Sequence, residues 1–274
     1  MRLGVLVFLV GCAPLPRPGP LARAANDAMP VVPAGEYVAG STPAERQQAY
    51  ADYAESSGND AARTGRWFAA EEARHTASLP AFRLDRTHVT MAMYAEFLRA
   101  TGGDGPTITE AAWRRQGYVQ PYHEVTRFLW RGQAPPAGRD DHPVLLVTFA
   151  EAEAYCAWRG ARLPTAAELE KAMRGRDGRV YPWGDVWDAS KLNTAVHDQR
   201  DVEPVAGYSS GPYGHHDLAG LAFHWTATPW PLDARRQTLK GSAWDDYAGV
   251  GRGAAGHGRP RTIRHALISF RCAR

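Results

Sequence analysis

Long hydrophobic runs are missing from this sequence. No stretch of 18 consecutive apolar residues occurs, so no segment reads as a membrane-spanning helix. A dominant charge is missing too: 32 Lys and Arg stand against 29 Asp and Glu, a net charge of +3. That balance argues against a nucleic-acid partner. Cysteine is scarce, with three residues in the whole chain. No GxSxG, Walker loop, HExxH or dinucleotide fingerprint appears, so no standard catalytic signature points to a reaction. There is no internal repeat. What is present is ordinary globular composition: 274 residues, 44% apolar and 22% charged. Disorder throughout, a collagen-like chain and a coiled-coil fibre are excluded. The 27 Gly and 20 Pro amount to about one residue in six, which predicts many turns and short elements. The length permits one large domain or two small ones, and either would bury a core.

The N-terminus reads as an address. Met1-Arg2 is a short positive start, Leu3 to Val10 is apolar, and Leu9-Val10-Gly11-Cys12 follows. Charged start, apolar run and small residue make a secretory signal. With Cys directly after the small residue, the segment resembles a bacterial lipoprotein lipobox. That resemblance implies a signal peptide over 1–11, cleavage before Cys12 and a lipid on its thiol. A free Cys behind an ordinary signal peptide is the alternative. Ala13 in place of Asp favours the outer membrane, by analogy with lipoprotein sorting. Residues 12–30 are rich in Pro and Ala and are expected to form a semi-stiff tether. Residues 31–274 are then the domain. If Cys12 carries lipid, Cys156 and Cys272 remain for an oxidising compartment, where a pair normally bridges; two buried free thiols are the other reading.

Three helices are marked by their caps. Thr90 precedes a periodic run that stops at Gly102. Thr148 and Glu151 form a capping box for a helix through Trp158, and Thr165 and Glu168 form another for a helix that ends at Gly175. In the second of these helices Ala152, Tyr155 and Cys156 share one stripe, which points Cys156 inward. Val144–Thr148, Val205–Tyr208, Thr238–Gly241 and Ala266–Arg271 are short apolar runs and are predicted strands. Residues 43 to 74 read as a polar, charged insertion with one helix from Pro43 to Ser56. His215-His216-Asp217 invites a metal, but adjacent His in a Gly-rich loop point different ways, so an exposed loop is expected. Asp140-Asp141-His142-Pro143 is expected to be a turn before a strand.

Several segments, in order, resemble the formylglycine-generating enzyme, or sulfatase-modifying factor, family. They begin with Val32-Pro33-Ala34-Gly35-Glu36-Tyr37 and the stretch from His75 to Gly102. Ala154-Tyr155-Cys156-Ala157-Trp158 follows, and Arg162-Leu163-Pro164-Thr165 through Glu170 is the strongest match. Tyr181-Pro182-Trp183-Gly184-Asp185, Asp217-Leu218-Ala219-Gly220, Lys240-Gly241-Ser242-Ala243-Trp244 and Phe270-Arg271-Cys272 complete the set. The match spans about residues 31 to 274. It implies one α+β domain with a C-type-lectin-like fold and little regular secondary structure. It also implies a bridge between Cys156 and Cys272, since family members often join these two positions.

The departures bear on chemistry. The family's oxidase binds copper through two thiols just after its GGS-aromatic turn. Here Asp246 and Gly251 stand at those positions, and no Cys lies between 157 and 271. Neither residue replaces a thiolate toward Cu(I), so copper on paired thiolates is not expected. The family's calcium loop is Ala219 to Trp225 here, with Leu221 and His224 in place of Asn and Glu side chains, so that site reads as lost. A second, vestigial calcium site would use Asn193 and Asp201. Iron-dependent relatives in ergothioneine-type sulfoxide synthesis need a His-rich helical domain, whereas residues 43 to 75 hold only His75. Relatives in pyoverdine maturation and beside nitrite reductases are periplasmic and lack the thiol pattern, and this chain resembles those more.

Polar groups remain in the segment that would line the old pocket. Asp245, Asp246, Arg252 and His257 are the candidate catalytic residues, with Arg259 and His265 nearby. The bland alternative is that Asp246 caps the turn, Arg252 pairs with it and Trp244 packs the floor. The resulting expectation is a lipid-anchored maturation factor or divergent oxidoreductase acting on a periplasmic peptide or protein. The competing expectation is a non-catalytic binding or scaffold lipoprotein. An enzyme requires Asp and His groups that converge in a cleft; a scaffold predicts them dispersed or salt-bridged.

Overall fold

The computed structural model describes residues 16–118, 120–197, 200–208 and 210–274. In chain order the elements are α1 (Pro20–Asp27), β1 (Val31–Val32), β2 (Gly35–Ala39), α2 (Pro43–Ser57), α3 (Ala61–Thr64), β3 (His75–Leu79) and β4 (Phe82–Arg83). Then come α4 (Met91–Thr101), α5 (Glu110–Arg115), α6 (Tyr122–Val125), α7 (Phe149–Trp158), α8 (Ala166–Arg174), β5 (Phe223–Trp230), β6 (Asp233–Lys240), β7 (His257–Pro260) and β8 (Ile268–Ser269). The largest sheet has the order β7-β6-β5-β8, with β5 and β8 parallel and the other pairs antiparallel. β1 pairs with β4, and β2 with β3. This is α+β with short elements, as the Gly and Pro content predicts.

The caps act where the sequence places them. The Thr90 hydroxyl accepts from the Met93 N–H, and Gly102 closes α4 in the left-handed region. Thr148–Glu151 and Thr165–Glu168 form complete capping boxes on α7 and α8. α7 carries Cys156 into the core, where its sulfur joins Cys272 with the two Cα atoms 5.6 Å apart. Beside this bridge Tyr94 stacks on Tyr155 with ring centroids 5.6 Å apart, and Phe270 meets the two edge-on at 6.3 and 5.4 Å.

A buried ion pair holds the same region. Arg159 donates to both carboxylate oxygens of Asp85, at 2.8 and 2.7 Å, and Asp85 Oδ2 also accepts the Cys272 N–H at 2.8 Å. The bidentate geometry and the additional donor offset the cost of taking both charges out of water.

Four segments differ from the sequence reading. Residues 20–30 are not a tether. Pro20 occupies the first turn of α1, where its missing N–H costs nothing, and the Ala-rich run continues as a helix. Glu96 on α4 accepts the Leu21 and Ala22 N–H groups at 3.0 Å, and Ala22 and Met29 are buried. Segment 43–74 has its expected helix, α2, but is not only polar and charged surface: Ala49, Tyr50, Tyr53, Ala62 and Phe68 join the main hydrophobic cluster. Val144–Thr148 is buried up to Val147 but makes no strand, because Leu146 takes a φ of +63° and its N–H goes to the His265 carbonyl. Val205–Tyr208 is a turn, with Ala206 at φ +65° and its N–H held by the Asp217 carboxylate. Cys12 and the signal segment lie outside the described residues.

Replacing Asp85 by Ala would leave Arg159 buried without its counter-charge. It should lower the unfolding free energy by about 3–5 kcal/mol, read as a lower midpoint in urea titration.

Candidate active site

The turn after β6 is built around a glycine. Gly241 has φ +87°, and a Cβ there would stand 2.9 Å from the Leu218 carbonyl oxygen and 3.3 Å from the His224 ring. Only glycine meets both demands. The chain then sends Trp244 inward, where it is 5% exposed and its indole N–H donates to the Ala266 carbonyl. It thus packs the floor. Asp246 caps the turn, its Oδ2 accepting the Ala243 N–H at 2.7 Å, while its carbonyl accepts from the Ala195 N–H and the Thr194 hydroxyl. Asp245 is fixed from the opposite side, its Oδ2 accepting from Gln120 Nε2 at 2.7 Å; its Oδ1 is buried with no partner.

Two adjacent aspartates are therefore held largely out of water. Burial pushes the Asp245 carboxyl up to about 6, against the Gln120 hydrogen bond that favours the charged form. Asp246 is raised further, first by burial and then by the charge of Asp245. Because the charge of Asp245 acts on Asp246, the two do not ionise independently, and the pair holds a proton into a pH range where an ordinary aspartate has lost it. Asp245 opens onto a cavity of about 170 Å³ that Gln120, Glu124, Ala195, Arg200, Trp244 and Tyr247 complete. That is close to the size of an engineered cavity that holds one benzene ring, about 150 Å³. It suits one side-chain-sized group.

The insertion supplies an aromatic wall. Tyr247 meets Tyr53 of α2 edge-on at 5.8 Å, Tyr53 meets Trp67 at 5.1 Å, and Trp67 meets His257 at 6.1 Å. Of the four candidates, the structure brings only Asp245 and Asp246 together. His257 is packed between Trp67 and Phe223, its Nε2 is buried without a partner, and burial lowers its pKa to about 3. It is a neutral ring at physiological pH. Arg252 does not pair with Asp246. Its guanidinium meets Glu71 at 2.5 and 3.2 Å, lies over Phe68 at 4.6 Å, and its Nε donates to the Gly249 carbonyl. That contact ties the insertion to the turn. Gln120, Glu124, Tyr247, Tyr53 and Trp67 belong to no short motif, and only the fold brings them to the site.

No described residue offers a copper site of thiolates: Cys156 and Cys272 are spent on each other. At the second thiol position, a Cβ on Gly251 would stand 3.1 Å from Ser242 Oγ and 3.2 Å from the Ala219 Cβ. The donors do not fit copper, and no step is assigned to it. Calcium fits no better. Leu221 is buried in the core, and His224 stacks on His88 with ring centroids 4.1 Å apart, both imidazoles held neutral by burial. Asp201, the expected partner of Asn193, is taken by Arg139 at 2.5 and 3.2 Å and by Arg127 at 3.6 Å. Asn193 Oδ1 is buried without a partner, but one amide oxygen falls far short of the six to eight oxygens calcium takes. Among the described residues no group of three His, Cys, Asp or Glu side chains is arranged for a metal.

The loop at His215-His216-Asp217 is not exposed. His215 and Asp217 are buried, because Arg271 reaches in to donate to the carbonyls of His216 and Asp217. Asp140 to Pro143 is a turn, with His142 Nδ1 2.8 Å from Asp141 Oδ1.

Comparison with known proteins fits this geometry. The family model for the sulfatase-modifying factor enzyme 1-like domain matches residues 15–274. The chain is 36% identical over 179 residues to a hercynine oxygenase of Mycolicibacterium smegmatis, covering 59% of this chain and 41% of that protein. It is 34% identical over 174 residues to the inactive C-alpha-formylglycine-generating enzyme 2 of Bos taurus, covering 54% of this chain and 57% of that protein. It thus spans only about half the length of these relatives. In three dimensions it superposes on PvdO from Pseudomonas aeruginosa with a TM-score of 0.62 at 21% identity, over 89% of this chain and 92% of that one. The fold is shared.

The raised carboxyl has a measurable cost. Asp245 is protonated more readily in the folded state than in the unfolded chain, so the folded state gains relative stability below about pH 6 and loses it as pH rises through that value. Asp245→Asn should therefore be nearly neutral at pH 4 and stabilising by roughly 2–3 kcal/mol at pH 8. Thermal melts of both proteins across that range check it.

Proposed function

The chain belongs to the sulfatase-modifying factor enzyme 1-like family, and from that premise we propose that it is a divergent maturation factor, lipid-anchored and facing the periplasm, acting on a peptide or protein. Its chemistry is proton transfer on the Asp245–Asp246 pair, not oxidation by copper. The observation that carries this is the pairing itself: two adjacent, largely buried carboxyls, one of them opening onto a side-chain-sized cavity. One member ionised and the other protonated is the arrangement that serves as base and acid near neutral pH. Lipid on Cys12 and the outer membrane as location are supported by the Leu9-Val10-Gly11-Cys12 sequence with Ala13 after it.

A binding or scaffold role is the second reading. The Arg252–Glu71 ion pair and the walled-in His257 favour it, because neither group is free to react.

The two readings part in the cell. Strains carrying wild-type protein, Asp245→Asn or Asp246→Asn are compared by mass spectrometry of periplasmic peptides and proteins, and Cys12→Ser is followed by membrane fractionation. The enzyme reading expects a product mass that both Asp variants lose while the protein level holds, and a Cys12 variant that leaves the membrane fraction or stays unprocessed. Identical masses in all strains would leave the scaffold. A purified protein that turned a sulfatase-type Cys peptide into its aldehyde over several turnovers would overturn the loss of oxidase chemistry.

A further inference from the structure

A second cavity, of about 640 Å³, shares no lining residue with the Asp245 cavity. Its volume lies within the range of ligand pockets, about 300–1,000 Å³. Arg127, Leu129, Trp130, Arg131, Pro135 and Pro136 form most of its wall. The loop that builds it is held in place by its own backbone. Arg131 and Ala134 exchange both backbone hydrogen bonds at 3.1 Å, which closes a tight turn. The Gly105 N–H donates to the Gly132 carbonyl at 2.8 Å, and the Trp130 N–H to the Pro106 carbonyl at 3.2 Å. A Cβ on Gly105 would stand 2.5 Å from the Trp130 Cβ, so only glycine allows this approach. Gln133 ties the turn to the end of α4 through the carbonyls of Leu98 and Gly103.

Two buried donors on this wall have no acceptor. Trp130 is 4% exposed and meets Tyr94 edge-on at 6.0 Å, and its indole N–H is unpartnered. Arg127 Nε is buried and unpartnered as well. It stands 3.6 Å from Asp201 Oδ1, and that carboxylate is already taken by both arms of Arg139. Arg127 donates through Nη2 to the Arg200 carbonyl at 2.6 Å and makes no other hydrogen bond among the described residues. Two guanidiniums thus share one carboxylate. Arg131 is exposed and adds a third cation, with no ion-pair partner among the described residues. None of the residues lining the cavity is acidic. A donor kept from water without an acceptor costs free energy that an incoming acceptor regains.

We propose that this cavity is a docking site for an extended peptide segment in which an acidic side chain stands beside an apolar one. The carboxylate meets Arg127 and Arg131, a peptide carbonyl takes the Trp130 N–H, and the apolar side chain covers Leu129 and the two prolyl rings. A cation is refused by the arginines. An anion without an apolar body leaves the hydrocarbon walls wet and the indole N–H unmet. The guanidinium of Arg127 also lies over the ring of Trp244 at 5.5 Å, so the two cavities meet across one side chain. The site does not depend on chemistry at Asp245 and Asp246, and it serves a maturation factor and a scaffold alike.

Calorimetric titration of the full chain tests it with N-acetyl-leucyl-glutamyl-leucine amide, its glutaminyl and lysyl counterparts, and inorganic phosphate. Wild type should bind the glutamyl peptide about tenfold or more tightly than the glutaminyl one, and the lysyl peptide no better than the glutaminyl. Arg127→Gln should lose that preference, and Arg131→Gln should reduce it. In nitrogen-edited NMR spectra the indole N–H signal of Trp130, assigned by its loss in Trp130→Phe, should move as the glutamyl peptide is added. Equal affinity of wild type for the glutamyl and glutaminyl peptides would overturn the proposal, and needs no variant to fold. A Trp130 signal that stays fixed while the glutamyl peptide binds would overturn it as well, as would an unchanged preference in Arg127→Gln. Phosphate bound as tightly as the glutamyl peptide would mark a plain anion site and overturn the peptide assignment.

Discussion

The buried carboxylate of Asp85 is the point at which three distant stretches of chain meet. It takes both arms of Arg159 at the end of α7 and the N–H of Cys272 near the C-terminus, while its own N–H donates to the Cys272 carbonyl. Next to it Arg271 collects the carbonyls of Asp85, Arg86, His216 and Asp217, and the Cys156–Cys272 bridge closes the same junction covalently. With so little regular secondary structure, backbone ladders alone cannot organise this chain. A few buried cations that gather carbonyls and carboxylates do that instead. β8 then lies parallel to β5, and β5 and β6 deliver the turn that carries Asp245 and Asp246.

The stability of that framework offsets what the site costs. Two adjacent, largely buried carboxyls and a neutral buried His257 with no partner on Nε2 are each unfavourable in isolation. His257, at the start of β7, lies against Trp67 of the insertion. At the two positions where the resemblance to the family's oxidase implies soft thiolates, this chain has Asp246 and Gly251. In the proposed function, acid–base chemistry on Asp245 and Asp246 takes the place of redox chemistry on this turn, and the insertion, tied to it by Arg252 on Glu71, supplies the aromatic wall.

Much of the fold is legible in the sequence because caps are local. Thr90, Thr148 with Glu151, and Thr165 with Glu168 each announce a helix within four residues, and all three helices start where these residues stand. Apolar runs are less local evidence. Val144–Thr148 reads as a strand, yet the Val144 and Leu146 N–H groups go to the carbonyls of Val89 and His265, far away in sequence, which no window of residues reveals. The Ala-rich run after Pro20 looks like a spacer only if the acceptor on Glu96 is unknown. At the site, Asp245 and Asp246 are visible because the turn motif points to them. Gln120, Tyr53 and Trp67 are not, since each matters through a neighbour that only the fold supplies.

The account turns on two carboxyls, Asp245 and Asp246, whose ionisations are raised and coupled. Carbon-detected NMR of protein labelled at its aspartate carboxyls, titrated from pH 3 to pH 9 and assigned with Asp245→Asn and Asp246→Asn, measures both properties directly. One carboxyl should titrate near 6 and a second should stay protonated above it, each altered when the other is replaced. Two aspartates that titrate independently near 4, as in an exposed peptide, would contradict it.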